Sequence, residues 1–264
     1  MNDRYPSPAA PNARSRLAVH GPEMDSNMGS SRVKDIYGGR HPSMIPTYTI
    51  ADAARMLSLP LATVRAWVRG QTVLSKGRHR TFQRVIDADD RSRRLLSFRN
   101  LVEIHVLSAI RRAHHVSLPK VRGAVRYLAD RMKLEHPLAS RRLLTDGRNL
   151  LIESFGKIVN ASESGQLEIP EVLARFLARI DHDARGEPIR LFPIVGDDTA
   201  SRGAVVIDPR VNFGQPQLRS ASISTRALAD RLCADESIRD LAKDFGVSEA
   251  EIEEALRFEL KRAA

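Results

Sequence analysis

Between Asp52 and Asp87 the sequence holds no acidic residue, while the same stretch carries Arg55, Arg65, Arg69, Lys76, Arg78, Arg80 and Arg84. Guanidinium and ammonium groups gathered in this way attract a polyanion. Thr63, Arg65 and Arg69 fall on a presumed helix, from which Arg and Thr can meet phosphates and also reach base edges in a major groove. Lys76, Arg78, Arg80 and Arg84, with His79 among them, follow in a presumed hairpin that can lie along a nucleic-acid backbone. A second set has the opposite sign. Glu249, Glu251, Glu253 and Glu254, with Arg257 as the nearest counterweight, share one short stretch near the C-terminus. Four carboxylates repel phosphates, so this set suits a protein surface or a self-association face.

Catalytic chemistry has little to build on. The sequence contains no phosphate-cradling Gly-rich loop, no HExxH helix and no nucleophile elbow. The clusters Asp87-Ala88-Asp89-Asp90 and Asp181-His182-Asp183 hold oxygens that could bind a hard cation, but both fall in predicted loops or helix ends, where solvated acids are common. His114 and His115 fall at a helix end where a positive side chain favours the dipole. His105 and Cys233 lie among Leu, Val and Ile and read as packing residues, and Trp67 reads as core. Asn160-Ala161-Ser162 matches a glycosylation sequon without a secretory context. The expectation is a protein that is not an enzyme and needs no metal or cofactor; a metal-dependent nuclease using the acidic clusters is the rival from another class.

Two helix-turn-helix patterns position the two charged sets. Such a motif needs a small residue where its helices cross, apolar residues bracketing the turn, and apolar residues inside the second helix. In the first copy Ala54 fills the crossing, Leu57 and Leu59 flank the turn at Ser58, and Val64 and Trp67 face inward. In the second, Ala242, Phe245, Val247, Ile252 and Ala255 take the same relative positions around Gly246. After the first copy, residues 73–82 alternate around Lys76-Gly77 as a hairpin would. Ser97 can cap a helix reaching about Arg112, and Ser117 with Pro119 can open another to about Met132.

The rest is less regular. Asp146-Gly147 between apolar residues predicts a hairpin in 142–153, and Pro170, Val172, Leu173, Phe176, Leu177 and Ile180 form one amphipathic helical pattern. Ile189 to Ile194, Val205 to Ile207 and Pro216 to Leu218 read as strands. Three helices are expected to begin near Ser224, Glu236 and Ser248, the last with a Ser248/Glu251 capping box. The first 46 residues, holding six of the 14 prolines, show no period and read as a disordered tail. Met24, Met28 and Met44 lie within it as alternative translation starts.

The chain of 264 residues has a formal charge of +10 and 42% hydrophobic residues, enough to bury a core in each of two domains. The charge is unevenly placed: residues 1–46 carry +2, residues 47–135 carry +11, residues 136–204 carry −1 and residues 205–264 carry −2. That asymmetry points to nucleic acid at one end. No apolar run approaches the roughly 18 residues that a membrane-spanning helix needs. One cysteine, Cys233, cannot form an internal disulfide and fits a reducing cytoplasm. The fold class read from these patterns is α+β, mainly helical. It comprises an N-terminal winged helix-turn-helix over 47–135, a small α+β region over 136–200 and a C-terminal three-helix, helix-turn-helix-like domain over 201–264.

Tyr48-Thr49-Ile50, Ala53-Ala54, Val64-Arg65-Ala66-Trp67, the hairpin, and Phe98 leading to Ser117-Leu118-Pro119-Lys120-Val121-Arg122 together resemble the winged DNA-binding domain of MerR-type regulators. The segment Val206-Ile207-Asp208-Pro209-Arg210-Val211-Asn212-Phe213-Gly214-Gln215-Pro216, with Glu236-Ser237-Ile238 and Glu251 to Arg257, is similar to a bacterial three-helix domain of unknown function associated with VapB-type antitoxins. The pair in this order resembles the long antitoxins encoded beside PIN-domain ribonuclease toxins. Two departures stand out. His136-Pro137 stops the helical run where MerR-type regulators place a dimerisation helix, and Arg219-Ser220-Ala221-Ser222 replaces the usual Gly-Thr turn of the C-terminal domain. The resemblance implies a cytoplasmic, homodimeric regulator that binds duplex DNA through Thr63, Arg65, Arg69, Lys76, Arg78, Arg80 and Arg84. It also implies a PIN-domain toxin held through the C-terminal half, where Glu249, Glu251, Glu253, Glu254 and Arg257 lie. A free-standing MerR-like transcription factor with an effector-binding middle region is the alternative.

Overall fold

The computed structural model describes residues 37–75, 77–114, 118–143, 168–195 and 202–263. The expected hairpin at Asp146-Gly147, the sequon at Asn160, His115, Ser117 and Lys76 lie outside these residues, as do the side chains of Arg78, Arg80 and His114. Residues 37–46, expected in the tail, are built into the fold. Pro42–Met44 forms a 3-10 turn in which Ser43 is fully buried, and the Ser43 hydroxyl donates to Glu187 at 3.4 Å.

The chain runs α1 (Ile50–Met56), α2 (Leu61–Arg69), β1 (Gln71–Ser75), β2 (Arg78–Phe82), α3 (Phe98–His114) and α4 (Leu118–Met132). It continues through α5 (Glu168–Leu177), β3 (Ile180–His182), β4 (Pro188–Leu191), β5 (Val205–Val206), β6 (Gln217–Leu218), α6 (Thr225–Cys233), α7 (Ile238–Phe245) and α8 (Glu249–Ala263). The described strands pair as three antiparallel two-stranded sheets, β1 with β2, β3 with β4 and β5 with β6. The architecture is therefore mixed helix and sheet, with helices forming most of the core.

One core gathers Ile50, Trp67, Phe98, Leu101, Leu107, Leu128 and their neighbours, and it continues through Leu138, Leu143, Leu173, Leu177 and Leu191. α3 is its axis, because every residue from Leu101 to Ile110 is buried, polar ones included. Those polar groups are satisfied: His105 Nε2 lies 3.1 Å from the Phe176 carbonyl, and the Ser108 hydroxyl donates to the His105 carbonyl at 2.7 Å. α5 packs against α3 but ends at Leu177. Ile180, expected as its next apolar position, instead opens β3 and pairs with Leu191. A smaller core of Val205, Leu218, Leu228, Leu241, Ile252, Ala255 and Phe258 holds the C-terminal helices together. Leu191 and Ile207, both in the larger core, exchange backbone hydrogen bonds of 3.0 and 2.9 Å, and Ile207 directly follows β5, whose Val205 belongs to the smaller core.

In the C-terminal unit Ser222 takes a left-handed conformation (φ 53°) in the turn after β6, the segment Arg219-Ser220-Ala221-Ser222 in which the sequence departs from the domain it resembles. α7 starts at Ser237, whose hydroxyl accepts from the Asp240 N–H at 3.1 Å, and stops at Gly246, left-handed at φ 63°. The expected capping box opens α8: the Glu251 N–H donates to Ser248 Oγ at 3.3 Å and the Ser248 N–H to Glu251 Oε2 at 3.0 Å.

Candidate nucleic-acid interface

α1 is opened by Thr49 and Asp52, which cap each other's backbone N–H groups at 3.0 Å. The negative charge of Asp52 thereby lies on the helix N-terminus, and Arg55 pairs with it at 2.9 Å. Ser58, left-handed at φ 51°, turns the chain, and the Leu59 N–H donates back to the Ala54 carbonyl at 2.9 Å. α2 then turns Val64, Trp67 and Val68 inward, all at or below 5% exposure, which forces Arg65 and Arg69 outward on one face. Thr63 is half-buried beside them. The second helix of the motif thus presents two guanidinium groups one turn apart above an apolar floor.

The β1–β2 hairpin follows without a linker, because Gly70 at φ 77° makes the corner. A side chain there would strike the Phe82 carbonyl, since its Cβ would lie 2.4 Å away. Gln71 pairs with Phe82 and Ser75 with Arg78, and the Thr72 and Thr81 hydroxyls meet at 3.1 Å across the strands. Arg78 and Arg80 fall in β2, two positions apart. The base of the hairpin is fixed from two sides. Val85 and Ile86 donate their N–H groups to the Trp67 carbonyl at 2.8 and 3.1 Å. From α4, Arg122 donates to the backbone carbonyls of Gln83 and Arg84, and Arg126 to the Gln83 side chain at 2.8 Å. Burial, with the neighbouring charge of Arg126, lowers the Arg122 pKa from its ordinary value. Sequence reading missed this role for Arg122 and Arg126, whose partners lie about 40 residues away.

Residues 46–125 match the family model described as "Putative DNA-binding HTH domain". A helix-turn-helix domain therefore occupies the N-terminal region. Residues 205–258 match a second model, "Protein of unknown function (DUF433)". Over 239 residues the chain is 28% identical to "Putative antitoxin VapB45" of Mycobacterium tuberculosis (strain ATCC 25618 / H37Rv), covering 80% of this chain and 93% of that protein. It is 27% identical over 221 residues to "Uncharacterized protein Rv2308" of the same strain, covering 81% and 90%. The crystal structure of Rv2018 from Mycobacterium tuberculosis shares the fold, with a TM-score of 0.59 at 24% identity over 80% of this chain and 98% of that one.

The acidic residues that sequence reading offered to a cation are engaged elsewhere. Arg84 and Arg91 both pair with Asp87, Arg91 at 3.1 Å. Asp89 Oδ1 lies 3.1 Å from His136 Nε2, and His136 Nδ1 lies 3.0 Å from Glu103 Oε2. Burial would lower the His136 pKa, but the two carboxylates outweigh it and raise it to about 10. Burial likewise opposes ionisation of Asp89, yet the hydrogen bonds from His136 and Ser97 hold its pKa below the usual range. Asp90 accepts from the Ser92 hydroxyl at 2.7 Å and the Arg93 N–H at 2.9 Å. In the second cluster Asp181 pairs with Arg202 at 2.7 Å, and Asp183 accepts two backbone N–H groups at 2.9 Å. Among the described residues, no group of three His, Cys, Asp or Glu could hold a metal ion.

The acidic C-terminal set divides in two. Glu249, Glu253 and Arg257 are exposed on α8. Glu251 is committed to the capping box, and Glu254 accepts the Ala204 N–H at 2.9 Å, joining α8 to β5. Cys233, read as a packing residue, is exposed at the end of α6. Among the described residues no helix is long and apolar enough to cross a membrane.

Proposed function

We propose that the chain is an antitoxin-type transcription regulator. It binds operator DNA through the MerR-like winged helix-turn-helix of residues 47–135 and a PIN-domain ribonuclease toxin through its C-terminal half. It works as a cytoplasmic homodimer, stoichiometrically and without catalysis. The observation that carries the DNA half is the outward pair Arg65 and Arg69 on α2, backed by buried Val64, Trp67 and Val68. A rigid helix with that face enters a major groove while the basic hairpin beside it follows the backbone. The toxin half is supported by the similarity to a VapB45 antitoxin across four-fifths of the chain.

Fluorescence anisotropy of the full chain on duplex DNA, repeated across a salt series, tests the first half. About four to six phosphate contacts per protomer give a log-log slope of roughly −4 to −5. Absent binding at low salt, or affinity that is flat across the series, overturns it. Co-expression with a PIN-domain protein encoded beside the chain tests the second half: co-purification as one species supports it, and separate elution overturns it.

A further inference from the structure

The octapeptide Asp87 to Arg94 holds three acids and three arginines, so by sequence it is neutral. Folding commits the acids to nearby partners: Asp87 pairs with Arg84 and Arg91, and Asp90 lies 4.0 Å from the Arg93 guanidinium. Asp89 turns to His136, and Asp90 turns onto the Ser92 hydroxyl and the Arg93 N–H. The chain from Asp90 to Leu95 then doubles back: the Asp90 N–H donates to the Leu95 carbonyl at 3.2 Å, and the Leu95 N–H returns a bond of 3.0 Å. Arg94 takes the left-handed conformation at φ 61° to complete this turn. Arg91, Arg93 and Arg94 are left exposed on a loop whose ends are pinned.

The loop stands beside the recognition helix. Val68, Arg69, Arg84, Ala88, Arg91 and Arg94 line one cleft of about 290 Å³. Four arginines thus line it, and the carboxylate of Asp87, paired with Arg84 and Arg91, offsets one charge. Arg69 belongs to both features, because it lies in the last turn of α2. A helix in a major groove is flanked by the sugar-phosphate backbone, and the cleft adjoins the last turn of α2 through Val68 and Arg69.

We infer that the loop Asp90–Leu95 is a second DNA-contacting arm, and that the cleft formed by Arg69, Arg84, Arg91 and Arg94 receives a backbone phosphate of the duplex entered by α2. The inference rests on the DNA-binding reading above and adds to it a contact that the acidic look of residues 87–90 conceals. Guanidinium forks suit phosphate oxygens in geometry as well as charge. Such a contact carries no base information, so it contributes affinity and register on any sequence.

The test uses the full chain and a 30-base-pair duplex of mixed sequence, read by fluorescence anisotropy between low and moderate salt. Arg91→Ala/Arg94→Ala is expected to weaken binding at least tenfold at low salt and to flatten the log-log salt slope by about 1, the share of the one phosphate that is no longer neutralised. Arg91→Lys/Arg94→Lys retains the charge and is expected to keep most of the slope. Arg226→Ala/Arg239→Ala removes the same charge from exposed sites on α6 and α7 and controls for the net-charge effect. If the wild-type chain binds but the Arg91/Arg94 alanine variant matches this control, the second arm is overturned while the DNA-binding reading stands. If the wild-type chain fails to bind at low salt, both fall together.

Discussion

The Tyr48 hydroxyl donates to the Gly214 carbonyl at 3.2 Å, joining residues 166 positions apart at the point where the helix-turn-helix meets the C-terminal unit. Tyr48 is 1% exposed and begins the strand-like entry to α1, bridging Leu96. Burial pushes its phenol pKa far above the ordinary value, so it remains a neutral donor. Gly214, at φ 71°, fits only because it has no side chain: a Cβ there would lie 1.9 Å from the Tyr48 oxygen. Tyr48→Phe is expected to cost roughly 1 kcal/mol, the net worth of one buried hydrogen bond. Gly214→Ala should cost more, through strain and collision together. Urea unfolding followed by fluorescence of Trp67, the one tryptophan of the chain, measures both. An alanine variant at Gly214 as stable as wild type would show that this junction is not tight.

Gly70 sets the angle between α2 and the hairpin in the same manner. Its φ of 77° and the 2.4 Å approach of a would-be Cβ to the Phe82 carbonyl leave no room for alanine. Gly70→Ala is expected to displace the hairpin, lowering stability by roughly 1–3 kcal/mol. DNA affinity should fall by the same factor on specific and random duplexes, because the hairpin contributes sequence-independent contacts. A selective loss on one DNA class would contradict that assignment.

The local patterns around these sites were legible in the sequence. The break at Ser58-Leu59-Pro60 divides α1 from α2, Lys76-Gly77 marks the hairpin, and Ser97 and Ser248 mark helix starts, because each signal is a short-range steric or capping effect. Long-range pairings were not. The fate of Asp89 is decided by His136, 47 positions away, so the cluster read as solvated acids, with a cation site as the alternative, while its folded role is an ion pair. Ile180 continues the helical spacing of α5, but pairing with Leu191 draws it into β3. Cys233 has apolar neighbours, yet it lies about 140° around the helix from buried Leu228 and so faces solvent. The basic surface was therefore visible as composition, while the arrangement that gives it edges was not.

His136 links the loop after the hairpin to α3 and should make stability depend on pH. Its folded pKa of about 10 lies above the unfolded value near 6.5. The pairing is therefore fully present below about pH 6.5 and is lost as the pH rises through 10. Asp89, depressed in the folded state, acts at the other end, where its contribution is lost as the pH falls below the carboxylate range. Between pH 7 and 9 stability should decline by roughly 2–3 kcal/mol. His136→Gln should remove most of that slope, and denaturant midpoints at several pH values would show it. A wild-type midpoint that does not move over this interval would contradict the ion-paired state.

Arg65 and Arg84 should differ in what they contribute to binding. Arg65 is exposed on α2, whereas Arg84 is held by Asp87 beside the hairpin base. Arg65→Ala is expected to lose roughly 1–3 kcal/mol of discrimination between operator and random DNA, the worth of a bidentate base contact. Arg84→Ala should weaken both duplexes modestly and equally. Equal losses for Arg65→Ala would place it among the positioning contacts.

The acidic end makes the last prediction, because its carboxylates no longer form a single class. Glu254 holds the Ala204 N–H at 2.9 Å, and Gly203 gives it passage, since a Cβ there would lie 1.9 Å from Glu254 Oε1. Glu254→Ala should therefore destabilise the C-terminal unit by roughly 1–3 kcal/mol, the cost of losing a charged acceptor from a part-buried donor. Glu249 and Glu253 face solvent, and Glu249→Lys/Glu253→Lys should leave stability within about 0.5 kcal/mol. If this face docks the toxin, the same double reversal should sharply weaken co-purification of the PIN-domain protein through like-charge contacts. Circular dichroism melts separate the two effects from each other. Undiminished capture by the stable double variant would move the docking surface away from the exposed acids of α8.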